Sequence, residues 1–200
     1  KSDSTDPAAT EEGSQTGLQL QEVITGNIRP KSVVHSGKGL FFAQNMMYRH
    51  SITVYNRAYE LVATISDRVN PAAFGFPEYS GSYQGAPVEA AFSPDSRYAW
   101  VSNYKMYGEN FESPGDDNCG LSGDYDRSFL YRIDTRTLRI DALVKVGSIP
   151  KQVAVSPNGR WVLTTNWCSG DLSIVDTERL LETQRVFLGR YPRGVAIDGK

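Results

Sequence analysis

Pro150-Lys-Gln-Val-Ala-Val-Ser-Pro157-Asn-Gly-Arg160 decides the fold, because the chain writes this stretch more than once. Pro87-Val-Glu-Ala-Ala-Phe-Ser-Pro94-Asp-Ser-Arg97 repeats it upstream, and Pro192-Arg-Gly-Val-Ala-Ile-Asp198-Gly-Lys200 begins it again downstream. Pro30-Lys-Ser-Val-Val-His-Ser-Gly37-Lys38 is a weaker copy. Pro150 and Pro192 lie 42 residues apart; the 57 from Pro30 to Pro87 and the 63 from Pro87 to Pro150 read as the same unit with roughly 15 and 21 residues inserted. A repeat of about 40–45 residues built from short strands is the signature of a β-propeller blade, so the expected class is all-β. Function stays open at this point, because propellers host many unrelated activities.

Each unit reads as four strands. The first follows the proline, as in Val153-Ala-Val155, Ala90-Ala-Phe92, Val195-Ala-Ile197 and Val33-Val34. A turn follows, with Ser-Pro-Asn-Gly or Ser-Pro-Asp-Ser placing proline and Asn/Asp where turn chemistry favours them. The second strand ends in asparagine: Trp161 to Asn166, Tyr98 to Asn103, Leu40 to Asn45. The third alternates and is rich in β-branched residues, as in Leu172–Asp176, Phe129–Asp134 and Ile52–Asn56, and the fourth runs over Arg185–Leu188, Ala142–Val146 and Leu61–Ile65. These segments alternate with period two, and no long stretch carries helical periodicity.

Asn166 and Asp176-Thr177 closing the second and third strands, Gly189 before Pro192, and Ser156-Pro157-Asn158-Gly159-Arg160 together resemble the YVTN-type propeller repeat. The naming tetrapeptide is matched loosely here, by Leu163-Thr-Thr-Asn166 and Trp100-Val-Ser-Asn103. The resemblance covers roughly residues 20–200. It implies an extracytoplasmic propeller similar to the YncE-like and surface-layer-associated proteins, and more distantly to seven-bladed lactonase-like propellers.

Three blades and one further first strand cannot close a ring, so the chain is expected to be the N-terminal part of a longer propeller, seven-bladed by resemblance. Residues 18–25, Leu-Gln-Leu-Gln-Glu-Val-Ile-Thr, stand where a fourth, outer strand stands in the other repeats. They are expected to complete the last blade from the other end of the chain, or else to be a decayed repeat that pairs locally. Residues 1–17 are polar and acidic and lack large apolar side chains, which predicts a disordered tether. That composition resembles the segment following the lipid-carrying cysteine of a bacterial lipoprotein; a frayed terminus explains it too.

The 40% hydrophobic content is enough to bury a core. A net charge of −2 argues against nucleic acid as a partner. No apolar run approaches a membrane span, so any membrane association would come through a lipid anchor. No cofactor motif occurs: there is no Gly-x-Ser-x-Gly elbow, no phosphate-cradling glycine loop and no zinc-type cluster.

In an antiparallel meander the second-to-third loop and the link to the next blade lie on one face. The enlargements Asp67–Ala86, a blade link, and Tyr104–Arg127, a second-to-third loop, therefore share a face with Met46–His50 and Trp167–Gly170. Loops held by a rigid scaffold are where binding usually resides. Candidate ligand contacts are His50, Tyr83, Tyr107 and Trp167, with further aromatics at Phe74, Phe76, Tyr79, Tyr104, Phe111 and Tyr125. The aromatics read equally as a satellite core beneath the loops. Asp116, Asp117, Asn118, Asp124 and Asp126 fail the calcium-loop spacing and read as a solvated acidic loop, so no metal is expected. The residue after each repeat proline is Lys31, Val88, Lys151 or Arg193. Three cations converging on a channel mouth would attract a small anion, unless carboxylates such as Glu89 pair with them.

Cys119 and Cys168 are the only cysteines, and they fall in second-to-third loops of adjacent blades. A disulfide between them is expected, with an oxidising, exported setting as its corollary; two free thiols in a reducing compartment is the other reading. The sequence thus favours an extracytoplasmic binding or scaffold propeller that presents its insertion-bearing face to a protein or cell-envelope partner. The rival is a lactonase- or hydrolase-type enzyme with its site at the channel mouth.

Overall fold

The computed structural model describes residues 17–198. Three four-stranded antiparallel sheets follow one another as meanders. The first holds β1 (Ser32–His35), β2 (Phe41–Asn45), β3 (Ser51–Tyr55) and β4 (Leu61–Ser66). A link carries the short pair β5 (Arg68–Val69) and β6 (Tyr83–Gln84) around a 3₁₀ turn at Pro71–Phe74. The second sheet holds β7 (Pro87–Phe92), β8 (Tyr98–Asn103), β9 (Phe129–Asp134) and β10 (Arg139–Lys145). The third holds β11 (Pro150–Val155), β12 (Trp161–Asn166), β13 (Asp171–Asp176) and β14 (Leu181–Phe187). The fold is all-β, and its sheets are arranged like propeller blades, with β1, β7 and β11 as neighbouring first strands.

The recurring motif is explained atom by atom. Ser93 Oγ accepts the Tyr98 N–H and Ser156 Oγ accepts the Trp161 N–H, each at 2.9 Å, closing the turn that the following proline starts. Asp95 and Asn158 accept from Arg97 and Arg160 N–H, both at 3.0 Å. Those arginines reach Asp134 and Asp176 at the ends of the third strands, where the carboxylates also cap the next turn. A side-chain oxygen that accepts a backbone N–H does the work a helix or sheet ladder would otherwise do.

Successive blades are joined in register. Ser102 Oγ donates to Lys151 O at 2.7 Å and Thr165 Oγ1 to Arg193 O at 2.8 Å. In the first blade Gln44 fills that position, and Ser32 Oγ donates instead to Val88 O at 2.7 Å. The second-strand asparagines sit against glycines of the blade links. A Cβ on Gly85 would stand 2.3 Å from Asn103 Oδ1, and one on Gly147 2.5 Å from Asn166 Cγ, so both positions exclude a side chain. Apolar residues alternate along the second blade to serve both neighbours. Ala99, Val101, Tyr131 and Ile133 pack on Phe42, Ile52 and Val54 of the first. Trp100, Leu130 and Val144 pack on Val153, Val162 and Val175 of the third.

The observed strands differ from the expected ones in where the fourth strands begin, and two further stretches carry no pairing. Residues 18–25 take no strand pairing: Leu18 and Leu20 are exposed, and Ile24 shares a recess with Ile28, Tyr55 and Tyr59 of the first blade. The fourth strands begin earlier than their apolar residues suggest, at Arg139 and Leu181, because half-exposed polar residues pair there as well. Residues 192–198 form no strand, although Arg193 occupies its repeat position through the Thr165 bond. The expected tether, residues 1–17, lies outside the described residues except for Gly17.

Candidate functional site

The two insertions meet each other and the short loops 46–50 and 167–170 on one face. Cys119 in the loop between β8 and β9 is bonded to Cys168 in the turn between β12 and β13, with Cα atoms 5.5 Å apart. Around the bridge, the Tyr191 hydroxyl donates to Cys119 O at 2.6 Å and Trp167 Nε1 donates to Asp117 O at 3.2 Å. Ser148 Oγ donates to Tyr125 O at 2.9 Å. One long loop is thereby fastened across two blades and the start of a further repeat.

Beneath this face the aromatics form a layer of their own. Tyr79 stacks on Phe111 at 4.9 Å, Tyr83 meets both edge-on, and Phe76 meets Phe129 at 4.9 Å. Tyr83 is therefore corrected from ligand contact to support. It is 3% exposed, and the Gly108 backbone lies so close above it that a Cβ there would be 2.4 Å from the ring. Strand alternation is the reason: β6 turns Tyr83 inward while the Gln84 backbone pairs with Tyr107. Of the aromatic candidates, Tyr107 and Trp167 remain accessible.

The three expected cations are not equivalent. Lys151 is nearly buried, its Nζ 2.9 Å from Asp117 Oδ1 and set against the rings of Tyr104 (4.4 Å) and Trp167 (5.2 Å). Burial pushes the Lys151 pKa down, with Asp117 opposing. The hydrogen bond from Lys151 holds the Asp117 carboxyl below its usual range, and the Tyr104 hydroxyl adds another at 3.1 Å. Lys31 and Arg193 are exposed, and neither has a carboxylate partner in ion-pair range among the described residues. Glu89 stands among all three cations. Burial raises its pKa, while the Ser32 hydroxyl, Arg193, Lys31 and Lys151 pull it down. The three cations and two carboxylates thus form a mixed cluster in which Lys151 is paired with Asp117, and Lys31 and Arg193 feel Glu89 only at longer range.

Sequence reading missed Lys105 and Arg190, which lie over the rings of Tyr107 (5.3 Å) and Tyr191 (4.7 Å), and Tyr191 itself, stacked on Trp167 at 4.5 Å. The signal was present in the adjacent Tyr-Lys-Met-Tyr and Arg-Tyr pairs. It also missed that His50 meets Asp67, 3.3 Å from Nδ1 to Oδ2. In the acidic loop, Asp116 and Asp126 accept backbone N–H groups of Asn118 and Ser113. Among the described residues, no three His, Cys, Asp or Glu side chains are grouped so as to hold a metal ion.

Compared by sequence, the chain matches no family model and no curated protein. Compared by structure, it is similar to Kuenenia stuttgartiensis hydrazine synthase, with a TM-score of 0.60 and 18% identity over 88% of this chain and 41% of that one. It is also similar to dihydro-heme d1 dehydrogenase NirN in complex with DHE, with a TM-score of 0.52 and 20% identity over 86% of this chain and 30% of that one. The chain therefore spans less than half the length of either. At this identity the likeness carries the architecture and no chemistry: four-stranded antiparallel sheets like the blades of propeller proteins.

Proposed function

We propose that this chain belongs to an extracytoplasmic binding or scaffold propeller of the YVTN type. Its insertion-bearing face holds a protein or cell-envelope partner through that partner's anionic groups. One observation carries the reading: the long loop of the second blade is covalently tied to the third, and the face so fixed keeps Lys31, Lys105, Arg190 and Arg193 free of carboxylate partners among the described residues. A disulfide agrees with an oxidising compartment. Preorganised loops lower the ordering cost of association, and unpaired cations on one face raise its attraction for anions. The rival lactonase-type reading has no comparable observation behind it.

Titration with inorganic phosphate and with citrate, followed by calorimetry at low salt, tests the anion contact. Wild-type protein is expected to bind, and Lys31→Ala/Arg193→Ala to bind about fivefold more weakly, since an exposed charge contributes roughly 0.2–1 kcal/mol per contact. Equal or negligible binding by both proteins removes the anionic element of the proposal.

A further inference from the structure

Asp67 begins the blade link, and its carboxylate is fully buried with no hydrogen bond to either oxygen. Its backbone is well held: its N–H donates to His50 O at 3.4 Å, and its carbonyl accepts from Gly85 N–H at 3.3 Å and from the Tyr131 hydroxyl at 2.9 Å. The residue is therefore held in place by its backbone, while its carboxylate makes no well-formed hydrogen bond. His50 lies beside it. Its Nδ1 is 2.9 Å from Gly85 O, which can only accept, so Nδ1 carries a hydrogen, and Asp67 Oδ2 is within ion-pair range.

We propose that Asp67 and His50 form a proton-dependent latch, closed while the pair holds a proton on the Asp67 side, that fastens the 67–86 link and the Tyr107 segment to the first blade. Five elements converge on the pair. The loop between β2 and β3 brings His50; β5 and β6 bring Arg68 and Gln84; the 104–127 loop brings Tyr107, whose ring meets His50 edge-on at 5.5 Å; β9 brings Tyr131. Gln84 and Tyr107 exchange backbone hydrogen bonds at 2.8 and 3.0 Å, so whatever loosens β5–β6 loosens Tyr107 as well.

Burial pushes the Asp67 carboxyl up to about 7, and the Gln84 amide and the Arg68 charge only partly oppose it. A carboxyl raised in the closed state keeps its full stabilising effect below its ordinary value near 3.8, and loses it as pH rises through about 7. Above that point the closed latch holds an ionised, buried carboxylate with only the His50 ring and the Gln84 amide beside it, a costly arrangement. The open form, in which water solvates Asp67, then gains. The consequence for partner binding, tighter at mildly acidic pH, rests on the proposed role of this face; the latch itself does not.

Amide hydrogen exchange followed by mass spectrometry, corrected for intrinsic rates, reads the latch without any partner. Opening of peptides covering 67–86 and 104–109 is expected to increase about 50-fold, and at least tenfold, from pH 5 to pH 8 by linkage, while peptides of β11 to β13 stay unchanged. Asp67→Asn is expected to flatten that dependence to less than threefold. An NMR titration of the Asp67 carboxyl carbon gives an independent reading, with a midpoint near 7 expected. A midpoint near 4, or equal pH dependence in wild type and Asp67→Asn, overturns the latch while leaving the anion titration of the face to stand or fall alone.

Discussion

Phe129→Ala is expected to lower stability by about 3–5 kcal/mol, the range for emptying a buried aromatic site. Phe129 is 0% exposed at the start of β9 and belongs to two structures at once. In the sheet it packs in the cluster that joins the first and second blades. Above the sheet its ring meets Phe76 at 4.9 Å, Tyr79 at 5.9 Å and Phe111 at 6.4 Å, all from the insertions. Truncation leaves a cavity that neither a rigid sheet nor three ring edges can fill, and it also removes the geometry-specific aromatic contacts. Urea unfolding should show the loss, with limited proteolysis in the 67–86 and 104–127 loops of the folded variant. A change below 1 kcal/mol, with the loops still protected, would mean that the insertions do not rest on this ring.

Removing the disulfide should have the next largest effect. Cys119→Ser/Cys168→Ser is expected to lose roughly 2–4 kcal/mol, the range for releasing a closed loop of this size, here 49 residues. The sheets do not depend on the bond, so far-ultraviolet circular dichroism should be unchanged at low denaturant. The loop is another matter. Without the bond, the 112–127 segment keeps only non-covalent ties to the third blade and beyond: the Trp167 and Tyr191 hydrogen bonds to the Asp117 and Cys119 carbonyls, the Ser148 bond to the Tyr125 carbonyl and the Lys151–Asp117 pair. Exchange in that segment should rise and anion affinity should fall with it. Peptide mapping of non-reduced protein supplies the direct check; two alkylatable thiols in protein purified under non-reducing conditions would contradict the bond.

The architecture was legible because its determinants are local and repeated. Ser-Pro-Asn/Asp-x-Arg and the Asp-Thr pair each perform their hydrogen-bonding tasks twice over, and the closing asparagine recurs in all three blades. The disulfide was legible from topology, since adjacent second-to-third loops must lie side by side. The fourth strands were legible only in part, because their opening residues, from Arg139 and Leu181, are polar and half-exposed and carry no apolar signal. The site was less legible. Tyr83 and Tyr107 look alike in sequence, and only the pairing of β5 with β6 decides that one faces inward and the other out. Lys151 matches Lys31 and Arg193 by repeat position, yet Asp117 reaches it from an insertion that has no counterpart in the other blades. Asp67 could not be recognised at all, because an acid at the start of a link reads as solvated until the fold closes over it.

The central claim is that one face, the one bearing the insertions, is the binding face. Photocrosslinking measures it most directly, with benzoylphenylalanine placed at Tyr107 on that face or at Tyr59 in the turn between β3 and β4 on the opposite face. The two side chains are matched in exposure, at 42% and 40%, so their reactivity toward a random neighbour should be equal. In intact cell envelopes of the source organism, discrete crosslinked products are predicted from the Tyr107 position and only background from the Tyr59 position. Products from the Tyr59 position alone, or equal products from both, would contradict the account.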